Sequence, residues 1–144
     1  VELCRRRRDR PGSPTRPEEE RVKIKRREDV PSVAVAGCPG VGKQVVLGPA
    51  DGSDEIALRC FTVGVGAATP HHTHDFPHLV RVETGRGVAV DGEGNETPVS
   101  AGDYVYVPPN DQHTFKNAGQ TPIEFICIVP GRGEPPAAGG QRAQ

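Results

Sequence analysis

The chain has 144 residues, 34% of them apolar and only 4% aromatic, with no Met, no Trp and a formal net charge of −1. Its 18 Gly and 15 Pro fill 33 positions, about twice the average share of roughly 12%. That length allows one ordinary domain. No apolar run approaches the ~20 residues a membrane-spanning helix needs, which sets a membrane protein aside. Valine (18 residues) outnumbers leucine and isoleucine together (9). β-branched side chains suit pleated strands while Gly and Pro suit turns, so the composition points away from a helical bundle and toward an all-β domain.

The small net charge hides two unlike parts. Residues 1–29 carry a net of +4, and residues 30–144 a net of −5. The first part holds Arg5-Arg6-Arg7-Arg8, then Pro11, Pro14 and Pro17, then Glu18-Glu19-Glu20, with little besides Val22 and Ile24 to enter a core. Residues 1–21 and 131–144 are therefore expected to be disordered tails flanking a single domain over 22–130. The N-terminus lacks the apolar stretch of a signal peptide, and the four cysteines (Cys4, Cys38, Cys60, Cys127) form no C-x-x-C pair. Reduced thiols in a cytoplasmic protein are the expectation. The basic tail could touch nucleic acid, but the acidic domain behind it and its few aromatic residues argue for no nucleic-acid partner.

In chain order, the first motif is Gly37-x4-Gly42-Lys43, the front of a phosphate-binding loop. It lacks the following Ser or Thr, and Gln44–Leu47 reads as a strand, so a glycine-rich turn is the better account. Turn signals then recur every 8–12 residues. Between them lie alternating runs at Glu55–Val63, Leu79–Val82, Val88–Val90, Asp103–Val107 and Ile123–Val129. That spacing predicts a β-sandwich or small barrel.

Four of the five histidines crowd into His71-His72-Thr73-His74-Asp75-Phe76-Pro77-His78, and the fifth is His113. On a strand His72 and His74 would share one face. A break at Pro77 would return His78 to that face, with Val80 and Val82 following. Arg81 and Glu83 would point away, as would His71, which is read as a surface or interface residue. Such convergence suits a first-row transition metal.

The spacing Gly66-x5-His72-x-His74-x3-His78-x6-Gly85 resembles the first motif of the cupin family. Gly102-x5-Pro108-Pro109-Asn110-x2-His113-x3-Asn117 resembles its second. The commonest form of the first motif has Glu as third ligand; His78 stands there in this chain, as in the four-histidine subgroup of small single-domain cupins. The second motif has Gly where this chain has Asn110, and Asn tolerates positive φ better than most residues. Phe76 and Pro77 replace the subgroup's usual Trp and Glu.

The resemblance implies a jelly-roll barrel (double-stranded β-helix), a homodimer, and one divalent metal on His72, His74, His78 and His113. Mn(II) or Fe(II) is favoured, with Ni(II) or Zn(II) as alternatives, and Phe76, Val80, Tyr106 and Phe115 are candidates for the pocket around it. Four neutral ligands leave the ion its full charge and one or two open positions for a small oxygenated or anionic substrate. The expected function is dioxygenase-like chemistry or oxalate-type decarboxylation or isomerisation. A non-catalytic binding module is the alternative. Asp75, Tyr104 and Tyr106 are the polar candidates for a base, and alternation places none of them inside.

Overall fold

The computed structural model describes residues 16–135. The Arg5–Arg8 run, Cys4 and residues 136–144 lie outside them. Among the described residues there is no α-helix, only four short 3-10 turns and nine strands: β1 (Val33–Ala34), β2 (Val41–Leu47), β3 (Ile56–Val63), β4 (His78–Thr84), β5 (Arg86–Val90), β6 (Glu96–Ser100), β7 (Tyr104–Val107), β8 (Thr114–Lys116) and β9 (Ile123–Pro130). They form a six-stranded sheet in the order β1-β2-β3-β9-β4-β7 and a three-stranded sheet β6-β5-β8. Neighbours pair antiparallel throughout. The all-β jelly-roll expectation holds, and Val41–Leu47 is a strand rather than a phosphate loop.

Period-two alternation drives the packing. On β9, Ile123, Phe125, Cys127 and Val129 are buried, and on β4 His78, Val80 and Val82 are buried while Leu79 and Arg81 are exposed. Val80, Val82 and the four β9 residues meet Val99 and Phe115 of the smaller sheet in one core cluster. Burying each large apolar side chain contributes about 1.5–3 kcal/mol. Arg81 and Glu83 form a 3.0 Å surface ion pair away from the interior, as alternation predicts.

Two strands escape the sequence pattern. β1 has only two residues, and β6 contains Pro98, which argues against a strand. β6 is nevertheless an edge strand, with Pro98 opposite Val88, and an edge tolerates a missing ladder donor. Val22 and Ile24 of the basic segment stay 91% and 88% exposed. Arg27 ties that segment to the sheet instead, through bonds to Glu124 (3.0 Å) and Gln44 (3.0 Å). At the other end the chain does not leave the barrel at residue 130. It continues through a 3-10 turn at Gly131–Gly133, where the Gly131 amide donates to Glu55 (2.8 Å).

Asn117 closes the second motif. Its side-chain amide donates to the carbonyls of Val63 (2.9 Å) and Thr121 (2.8 Å), and its oxygen accepts from Gly119 (2.9 Å). Asn117 is 3% exposed, so removing its side chain leaves acceptors without partners. Asn117→Ala is expected to lower stability by about 1–3 kcal/mol, read as a lower urea midpoint at unchanged slope.

Candidate functional site

The His72–His74 segment is not a strand, contrary to the alternation argument. It belongs to the loop between β3 and β4, which bridges the second-motif segment at Ala68–Lys116 and at His72–His113. Pro70 and Pro77 bracket it, and prolines cannot supply ladder donors. What holds the loop is the turn of the second motif, where the Asn110 amide donates to the His74 carbonyl (2.6 Å). Among the described residues Asn110 is the one non-glycine residue with positive φ (65°). That conformation explains how Asn stands where the motif has Gly.

The structure brings the four histidines together. Ring centroids are 4.4 Å apart for His72–His74, 5.1 Å for His74–His78 and 4.8 Å for His78–His113. His71 is exposed and outside the group. All four line a cavity of about 50 Å³ with Phe115, Phe125, Cys127 and Arg59 among its walls, room for a few waters or a small ligand. A larger groove of about 450 Å³, lined by Tyr104 and Tyr106 together with core residues such as Val99 and Val107, touches this group through His113 alone. The four imidazoles place the candidate chemistry in the smaller cavity.

The remaining pocket candidates divide. Phe76 stacks on His74 (4.8 Å, 15°) and on His78 (5.4 Å, 17°), and Phe115 lines the cavity. Val80 is buried in the core without lining the cavity, and Tyr106 is 62% exposed on the larger groove. β4 pairs with β7 so that Tyr106 lies opposite exposed Leu79, and both point outward. Tyr104 is 76% exposed as well, and Asp75 is bound to Arg132 at the surface (2.8 Å). None of the three polar candidates for a base reaches the cavity, and no carboxylate is among its lining residues.

Burial, aided by the neighbouring imidazoles and Arg59, holds the His72 ring below its ordinary pKa, takes His74 down to about 4 and His78 down to about 3. These three rings are neutral at pH 7, the form that binds metals. His113 Nδ1 must donate to the Asp111 carbonyl (3.0 Å), which selects the tautomer whose ligating nitrogen is Nε2. His78 Nδ1 lies 3.4 Å from Cys127 Sγ, and its Nε2 is buried with no partner. His72 Nε2 and His74 Nε2 are 2.7 Å apart; two nitrogens bound at right angles to one ion at about 2.1 Å would be about 3 Å apart.

In donor type and protonation the set fits a divalent transition ion. Among the described residues, however, no group of three or more His, Cys, Asp or Glu stands in metal-holding geometry.

Arg59 is the site residue that the sequence reading missed. It is 5% exposed, lies over the Phe61 ring (5.2 Å), and donates to Cys127 Sγ (3.0 Å) and Glu134 (3.3 Å). The signal was there: along β3 it alternates with Ala57, Phe61 and Val63, in an otherwise apolar row.

Residues 59–129 match the cupin domain family. This stretch is a cupin domain. Over 102 residues the chain is 29% identical to auxin-binding protein 1 of Arabidopsis thaliana, covering 65% of this chain and 52% of that protein. Over 65 residues it is 28% identical to an oxalate-binding protein of Thermotoga maritima, covering 44% and 53%. The chain thus spans about half the length of each of these two relatives. The solved polyketide cyclase RemF from Streptomyces resistomycificus superposes with a TM-score of 0.72 over 85% of this chain and 89% of that one, at 23% identity, a likeness of fold. No helix among the described residues is long and apolar enough to cross a membrane.

The depressed histidines make stability depend on pH with a definite sign. Their ordinary pKa is 6.5, and the folded values for His74 and His78 are about 4 and about 3. Below pH 6.5 the unfolded chain takes up protons that the folded chain refuses. Chelator-treated protein is expected to lose thermal stability steadily from pH 6.5 to pH 4, and His78→Asn is expected to flatten that slope.

Proposed function

We propose that this cupin is a metal-dependent enzyme of the four-histidine type acting on a small oxygenated or anionic substrate. His72, His74, His78 and His113 would hold one divalent ion, with Mn(II) or Fe(II) favoured. The observation that carries the reading is the buried, unpartnered Nε2 of His78 in a cavity walled by three further imidazoles. A buried acceptor without a partner costs about 1–3 kcal/mol, and a ligand there removes that cost.

When bound, the ion supplies Lewis-acid polarisation and a template for substrate oxygens. The chain's own residues do the rest. Cys127 and the Asp111 carbonyl orient His78 and His113 through their Nδ1 atoms. Phe76, Phe115 and Phe125 keep the cavity apolar and limit water, which strengthens electrostatic contacts inside. Arg59 gives the wall a permanent positive charge, suited to an anionic substrate. With no carboxylate lining the cavity and its four imidazoles committed to the ion, a base is not supplied there by the chain, and proton transfer falls to the substrate or to a group outside the cavity. The relative named for binding oxalate supports the anionic part of this reading.

Elemental analysis of purified protein is expected to give about one divalent ion per chain, and His72→Ala/His113→Ala to lower it at least tenfold. Oxygen uptake and product analysis with diketones, phenols, keto acids and oxalate would then show turnover by the loaded wild type. A folded wild type that takes up none of Mn, Fe, Ni or Zn overturns the metal assignment. A loaded protein inert across that panel overturns the enzymatic one.

A further inference from the structure

Arg59 is attached to more than the histidine cavity. Glu134, four residues past the last strand, reaches back over the barrel so that its carboxylate meets Lys43 at 3.0 and 3.1 Å and Arg59 at 3.3 Å. All three side chains are largely buried, at 11%, 6% and 14% exposure for Lys43, Arg59 and Glu134. Two cations from neighbouring strands β2 and β3 therefore share one carboxylate beside the cavity.

The fit is incomplete at Arg59. A guanidinium meets a carboxylate best through two parallel N–H bonds. Here Glu134 engages one nitrogen at 3.3 Å, a second nitrogen is spent on Cys127, and Arg59 Nε is buried with no acceptor. Glu134 thus offsets one of the two positive charges without filling the fork.

The segment carrying Glu134 is fitted to its seat, and beyond the Gly131 bond to Glu55 and Glu134 itself its side-chain tie is weak. A Cβ on Gly131 would overlap the Asp54 carbonyl oxygen, and one on Gly133 would come within 2.8 Å of the Phe76 ring. Both positions lie flat against the barrel because they are glycine. Arg132 clasps Asp75 (2.8 Å) and lies over Phe76 (5.4 Å), but that pair is 59% and 74% exposed and such pairs contribute little. Past Gly131, residues 132–135 pair with no strand, so they can lift without breaking the ladder.

We propose that Lys43 and Arg59 form a binding site for the carboxylate of a small organic acid, and that Glu134 occupies it as an internal stand-in which the ligand displaces. The proposal rests on the anionic-substrate part of the functional reading and does not require metal. A permanent structural ion pair is the competing account, and it predicts no exchange.

The test uses full-length, chelator-treated protein with oxalate, and neutral oxamide as control. Calorimetry is expected to show Glu134→Gln binding oxalate about tenfold more tightly than wild type, because the internal competitor is gone. In wild type, oxalate but not oxamide is expected to speed tryptic cleavage after Arg132 several-fold, read by mass. Equal oxalate affinity in the two proteins, no binding by either, or cleavage unmoved by oxalate overturns the proposal. Should Glu134→Gln fail to fold by circular dichroism, the wild-type cleavage experiment decides alone. Because metal is absent, failure here is separable from failure of the metal assignment, which is read by elemental analysis.

Discussion

The interior depends on the register of one strand. β9 lies between β3 and β4, and its Cys127 stands opposite Arg59 on one side and Val80 on the other. His78 is two residues before Val80 and so faces the same way. The thiol sits between the guanidinium (3.0 Å) and the His78 ring (3.4 Å), making a polar line across an otherwise apolar sheet face. A one-residue slip of β9 would turn Ile123, Phe125, Cys127 and Val129 outward together. The cost of that slip keeps the cation and the imidazole in place.

That line sets the electrostatics of the cavity. Burial and the nearby guanidinium both disfavour protonated imidazoles, so the histidines are held in their ligand form. Burial also pushes the Cys127 thiol up, more than Arg59 lowers it, leaving a neutral sulfur as the spacer. The guanidinium's counter-charge arrives from outside the sheet, on Glu134. Breaking one partner of such a buried pair is costly, so the segment at residues 131–135 belongs to the site electrostatically although it follows the last strand.

Much of this was legible in the chain. The alternating runs at 55–63, 79–82, 88–90, 103–107 and 123–129 reappear as β3, β4, β5, β7 and β9 with ends shifted by a few residues. Burial of one face leaves a period-two signature that survives in sequence. β6 was hidden by Pro98, whose strand role depends on being at an edge, and edges are a property of the assembled sheet. The histidine spacing singled out the four residues that line the cavity, but for a partly wrong reason: His72 and His74 meet on a loop held by Asn110, not on a strand face.

Composition and turn spacing determined an all-β, turn-rich domain, a sandwich or small barrel, and the resemblance of its motifs to those of cupins singled out the four imidazoles. The fold class follows from local rules, since side-chain period and turn chemistry act over a few residues. Only the tertiary structure decided that Tyr106 and Tyr104 face solvent, that Arg59 enters the cavity wall, and that Lys43, from the discarded phosphate-loop motif, shares Glu134 with it. Lys43 and Glu134 are separated by 91 residues and Arg59 and Glu134 by 75. No local periodicity links residues so far apart; strand pairing and the return of the chain after β9 do.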